Sequence, residues 1–125
     1  EYSITAHAKD IFHEDVDKDL LRWKIRNAKF VATVTGYNVR YLSELYLAGP
    51  HDYINTVRRV GGDADSLMVV GHNPGLELLV QMMTGDWERM PTAALACIHI
   101  PIDDWTDLDT TGGELAGIWR PKELD

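Results

Sequence analysis

The sequence predicts an α/β fold, a central mostly parallel (mixed) sheet flanked by helices, and three observations carry that reading. Short apolar runs of strand character alternate with segments whose apolar residues recur at helical spacing. One such run, Ser66 to Val70, leads straight into Gly71-His72-Asn73-Pro74-Gly75 and then into a helical pattern, the strand–turn–helix order of an α/β unit. Finally, 125 residues at 45% hydrophobic content suffice for one core, so a single domain over residues 1–125 is expected.

Each element has a local reason. Tyr2-Ser3-Ile4-Thr5-Ala6 alternates and is β-compatible, a short first strand. Asp10 to Asp19 is acidic and reads as a solvated loop. Leu20 to Val34 places Leu20, Leu21, Ile25, Ala28, Val31 and Ala32 at helical spacing, with Arg22, Lys24, Arg26 and Lys29 opposite, and Gly36 is its stop. Val39 to Leu42 is a candidate short strand. After the Gly49-Pro50 break, Asp52 caps a helix carrying Tyr53, Ile54, Val57 and Val60, and Gly61-Gly62 ends it. Ser66 to Val70 reads as a strand buried on both faces. Asn73 fits an N-cap and Pro74 the first position of a helix with Leu76, Leu79, Val80 and Met83 on one face, closed by Gly85. Ala93 to Ile100 and Gly113 to Trp119 complete the strands.

Composition narrows the function classes. The lone cysteine, Cys97, excludes a disulfide framework and a multi-cysteine zinc site, and mid-strand it reads as a core thiol. Twelve Lys+Arg against 20 Asp+Glu give net charge −8, which argues against a broad nucleic-acid surface, because neutralising phosphates needs a basic excess. No apolar run approaches the roughly 20 residues of a membrane span. The start has neither a charged n-region nor an apolar h-region, so no secretory signal and a cytoplasmic location are expected. Beginning at Glu1 without an initiator Met, the sequence reads as a processed form or a fragment. His13, His51 and His99 lack metal-ligand spacing, so no metal site is expected; no cofactor is expected either.

Two histidines stand out chemically. His72 follows a strand and precedes a helix N-terminus, where free N–H groups and the helix dipole favour anions. A turn residue capping a neighbouring carbonyl is the plain alternative. His7, in Thr5-Ala6-His7-Ala8-Lys9, lies at the end of the first strand. Two such histidines can face one anion, and imidazole is a competent nucleophile toward phosphorus. An ordinary surface histidine near a frayed terminus is the alternative there.

Residues 39–124 resemble the SixA-type phosphohistidine phosphatases, a branch of the histidine phosphatase (phosphoglycerate mutase-like) superfamily. The resemblance rests on Arg40-Tyr41, Glu44 to Pro50, Val69 to Glu77, Met90 to Ala96 and Gly113 to Pro121, in order and at the family's spacing. It implies a phosphoglycerate mutase-like sheet, His72 as the second pocket histidine and His7 as the phosphorylated nucleophile. The substrate it implies is a phosphorylated protein or a small phosphorylated molecule. Ala6 stands where the family has a phosphate-clamping Arg, and a guanidinium fork has no substitute in a methyl group.

Two alignments of residues 19–34 remain open. In one, Arg26 to Ala32 matches the family's first helix. In the other, Arg26 stands at the family's second phosphate-binding Arg. Either way the chain is shorter than a usual member, so part of the N-terminal half is expected to be missing. Asn73 is a further phosphate-binding candidate, and Glu44 a candidate proton donor whose plainer reading is structural. Two functions follow: a phosphatase working through a covalent phosphohistidine on His7, or a degenerate member that binds a phosphorylated ligand or protein partner without turnover.

Overall fold

The computed structural model describes residues 2–9, 40 and 42–124, with backbone alone for residues 2–9 and Ser43. In chain order the elements are β1 (Tyr2–Lys9), a 3₁₀ turn (Ser43–Leu45), α1 (Pro50–Val60), β2 (Ser66–His72), α2 (Gly75–Thr84), β3 (Leu95–Ile100), a 3₁₀ turn (Trp105–Asp107), β4 (Glu114–Trp119) and a 3₁₀ turn (Pro121–Glu123). Glu1–Asp10 and Glu44–Asp125 form one compact unit and Ile11–Ser43 a second. The first unit carries all the strands and both helices named here. In the second, Arg40 is exposed and has no regular structure; the loop and helix expected over residues 10–34, with Gly36, lie outside the described residues. Arg40 and Leu42 are not in a strand, so a continuous strand over Val39 to Leu42 does not form.

The four strands lie in the order β2-β1-β3-β4. β1 and β2 are parallel, while β1–β3 and β3–β4 are antiparallel. The described sheet is thus mixed as expected but not mostly parallel, since β3 and β4 return by short connections and pair antiparallel; its one parallel pair brings the two histidine-bearing strands side by side. The β3–β4 register shifts between Cys97 and Ile98, a bulge in the outer pair.

β2 corrects one expectation. It is an edge strand of the described sheet, with Ser66 and Met68 exposed and burial deepening only toward Gly71 and His72. The apolar run that suggested burial on both faces covers one face and ends inside the protein.

The helices form where the spacing places them. α1 buries Tyr53, Ile54, Thr56 and Val57. Its Asp52 is not the N-cap but the third helical residue, reaching back so that the Gly49 N–H donates to Asp52 Oδ2 at 2.9 Å. Gly61 ends the helix, its N–H bonded to Val57 O at 2.9 Å. α2 buries Leu76, Leu79, Val80 and Met83 and packs against all four strands. Each such side chain contributes roughly 1.5–3 kcal/mol by leaving water. Gly85, at φ 81°, closes α2 in the left-handed conformation that glycine adopts without steric cost.

Around this centre Met90, Ala94, Ala96, Ile98, Ile100, Trp105 and Leu108 complete the core. Cys97 is half-buried in β3. Of the tryptophans described, Trp105 is buried while Trp87 and Trp119 are exposed. Arg120 ties down the segment before β3. Its Nε donates to Arg89 O at 2.8 Å, Nη2 to Glu88 Oε2 at 2.8 Å and Nη1 to Glu123 Oε1 at 3.2 Å. The Glu88 carboxylate holds the guanidinium further above its ordinary value.

Candidate functional site

The stretch Gly71-His72-Asn73-Pro74-Gly75 runs from the last two residues of β2, which extends two residues beyond the expected Val70, through a turn at Asn73-Pro74 into the first residue of α2, and each of its residues has a physical task. A Cβ on Gly71 would overlap the Tyr53 hydroxyl, and one on Gly75 would overlap the Ala48 carbonyl oxygen. Both glycines exist so that other groups can lie on bare Cα atoms. The Asn73-Pro74 peptide is cis.

Asn73 is engaged within the protein. Its Oδ1 accepts the Glu77 backbone N–H at 3.3 Å, one of the donors that a helix start leaves without an intrahelical partner. Its Nδ2 donates to Glu77 Oε1 at 3.2 Å and to Met90 O. Glu77 Oε1 also accepts the Met90 N–H at 2.9 Å. Asn73 therefore does a cap's work from one position before the formal N-cap, Pro74, and binds the Met90 segment to α2. No amide hydrogen-bonding atom of Asn73 is idle.

His72 is 3% exposed. Its backbone N–H donates to Tyr53 Oη at 3.3 Å. The Tyr46 ring meets its imidazole nearly edge to face, centroids 6.2 Å apart at 81°. Among the described residues, His72 Nδ1 has no hydrogen-bond partner. A buried polar atom without a partner is costly, roughly 1–3 kcal/mol, and signals a group kept for something other than packing.

β1 runs beside this strand. Lys9 is opposite His72 and His7 opposite Val70, so the two histidines stand two register positions apart on adjacent parallel strands, at the same phase of the pleat. Both lie near carboxyl ends of strands, where α/β sheets bind ligands. Of His7 the structure describes the backbone, and Arg26 lies outside the described residues. Glu44 is exposed at the first 3₁₀ turn and forms an ion pair with Arg59. No group of three His, Cys, Asp or Glu among the described residues is arranged to hold a metal.

Sequence reasoning missed the residues that support His72. Tyr53 reads along the chain as one apolar position of α1, and only its phenol hinted at a polar task. Burial pushes that phenol well above its ordinary range, with the Asp52 carboxylate adding to the shift, so the hydroxyl stays protonated. Glu77 carried a signal that was there to be used, its spacing four residues after Asn73. Tyr46 and Met90 lie in blocks that carry the family resemblance, but nothing in the sequence pointed to their contacts with His72 and Asn73. Chemically, the site combines a buried imidazole, the positive end of α2 and a neighbouring strand bearing His7 and Lys9, an arrangement suited to a compact oxyanion.

No family model matches the chain. Two curated proteins of Mycobacterium tuberculosis are similar to it: the uncharacterized protein MT1313 of strain CDC 1551 / Oshkosh and the uncharacterized protein Rv1276c of strain ATCC 25618 / H37Rv. Each is 29% identical over 94 residues, covering 66% of this chain. The chain spans 59% of the length of these relatives. Among solved structures, a protein of Nakamurella multipartitia assigned as the phosphohistidine phosphatase SixA superposes with a TM-score of 0.64 at 21% identity, covering 96% of both chains. The protein histidine phosphatase SixA complexed with tungstate superposes with a TM-score of 0.56 at 12% identity, covering 98% of this chain and 99% of that one.

Proposed function

We propose that this chain, which has the SixA-type, phosphoglycerate mutase-like α/β fold, is a phosphatase of the histidine phosphatase superfamily, hydrolysing a phosphohistidine or another phosphomonoester. The observation that carries the reading is His72, buried at the end of β2 beside the α2 N-terminus, its Nδ1 without a partner among the described residues. A transferring phosphoryl group supplies what that atom lacks. One of the similar solved structures is a complex with tungstate, a tetrahedral oxyanion of phosphate-like shape.

In this reaction a ring nitrogen of His7 attacks phosphorus. The bond from phosphorus to the leaving nitrogen or oxygen breaks, and the leaving group takes a proton from solvent water. Water then attacks the phosphohistidine, releasing phosphate and restoring His7. His72 and the first N–H groups of α2 stabilise the charge on the equatorial oxygens. Lys9, opposite His72 in the register, adds charge without the fork of an arginine. Asn73, with its amide engaged, holds the loop in shape rather than touching phosphate. Glu44 serves the surface through Arg59. Phosphorylated proteins and small phosphorylated molecules are the substrate classes, and the single-domain organisation over residues 1–125 belongs to the same proposal.

Ala6 favours a second reading, binding without turnover, because losing one oriented donor costs about 10²–10³ in rate. Trapping of ³²P from labelled phosphoramidate separates the two. Acid-labile label on the parent protein and none on His7→Ala supports the phosphatase, with label falling about 10²–10³-fold in rate for His72→Ala. Absence of label, with tungstate still bound, replaces it by the binding module. Neither label nor tungstate binding rejects both.

A further inference from the structure

We infer that Tyr53 is a positioning residue for His72: its hydroxyl, seated on the bare Cα of Gly71, takes the His72 backbone N–H and so sets where the imidazole stands. This rests on the oxyanion site proposed above. Tyr53 belongs to α1, eighteen residues before Gly71 in the chain, yet it touches both glycines that bracket His72. Its Oη accepts the His72 N–H at 3.3 Å and fills the space a Gly71 side chain would need. Its Cε2 lies 3.5 Å from where a Cβ on Gly75 would stand. Tyr53 is 1% exposed and belongs to the main core cluster, so its ring is held by packing before it meets the loop.

His72 needs such an anchor. It ends an edge strand of the described sheet, where the ladder to β1 constrains one side only. On the other side of the loop Asn73, Glu77 and Met90 fix the peptide that follows. Between those two constraints, the Tyr53 hydroxyl holds the backbone of His72 itself. The Tyr46 ring meets the imidazole nearly edge to face. A phenylalanine at position 53 would fill the core equally well and leave the His72 N–H buried without its acceptor. The hydroxyl therefore has a task that burial alone does not explain.

The test compares wild type with Tyr53→Phe, both isotopically labelled, reading the His72 ring nitrogens by NMR and the affinity for tungstate. The expected result is a moved His72 ring signal, a shifted ring titration midpoint and tungstate affinity lower by about 3- to 30-fold in the folded fraction, the scale of a sub-ångström misplacement. Wild-type tungstate binding matched by the variant, with unmoved ring signals, overturns the proposal. Wild type that binds no tungstate rejects the oxyanion site, and the ring signals then decide the positioning role alone: moved, it stands; unmoved, it falls. Should Tyr53→Phe not fold, 3-fluorotyrosine placed at position 53 keeps the ring and weakens the oxygen as acceptor. Moved ring signals then support the positioning role, and unmoved ones overturn it.

Discussion

Among the described residues two buried aromatic side chains rest on glycines, and they are put to different uses. Trp105 covers Gly61, where a Cβ would press into the indole, and its Nε1–H donates to Ala64 O at 2.6 Å. Tyr53 covers Gly71 and takes the His72 N–H. Both rings are about 1% exposed, both are seated on a bare Cα, and both use their one polar handle. Trp105, in the connection between β3 and β4, closes the end of α1 and holds no functional candidate. Tyr53 closes the end of β2 next to a buried imidazole whose Nδ1 lacks a partner among the described residues. The same packing device serves stability in one place and pre-organises a site in the other. What distinguishes them is the unpartnered polar atom.

Mutation separates the two roles. Trp105→Ala has the largest expected effect on stability, a loss of about 3–5 kcal/mol in urea unfolding, because a fully buried indole leaves a cavity. Tungstate affinity per folded molecule is expected to be unchanged. A parallel loss of affinity would mean that the two locks form one unit.

Next come the glycines. Gly61→Ala and Gly71→Ala are each expected to cost about 1–3 kcal/mol by overpacking. Only Gly71→Ala is expected to weaken tungstate, and its stability cost is expected to shrink in a Tyr53→Phe background, where the hydroxyl no longer occupies the space. Equal costs in both backgrounds would show that Gly71 is not kept for Tyr53.

The smallest effect is one of pH. The unfolded Tyr53 phenol loses its proton near pH 10.0 while the folded one, raised by burial, keeps it. Above that pH the unfolded state binds fewer protons than the folded state, so stability falls as pH rises, by at most about 1.4 kcal/mol per unit from this group. Wild type is expected to lose stability faster than Tyr53→Phe between about pH 10 and 11, as measured by urea midpoints. Parallel curves would place the phenol in contact with water.

Legibility followed the range of the interactions. α2 could be read almost residue for residue, because its buried face, Leu76, Leu79, Val80 and Met83, and its stop at Gly85 are local patterns. β2 is legible as a strand but not in its place in the sheet. A continuous apolar run does not distinguish a central strand from an edge strand that dives inward at one end. Asn73 is recognisable as a cap, but its bond to Met90 O spans seventeen residues and has no sequence signature. Asp52 is an instance of a correct residue type one turn away from its expected task.

By itself the sequence determined that the chain is α/β, that His72 stands at a strand-to-helix junction, and that glycines flank it. Those follow from periodicity and from the backbone needs of turns, which neighbours along the chain satisfy. Only the tertiary structure decided the strand order, the parallel pairing that puts His7 and His72 two register positions apart, and the seat of Tyr53 on Gly71. Those depend on which surfaces meet when α1 and the sheet share one core, and a phenol that touches a glycine eighteen residues later leaves no mark in either segment alone.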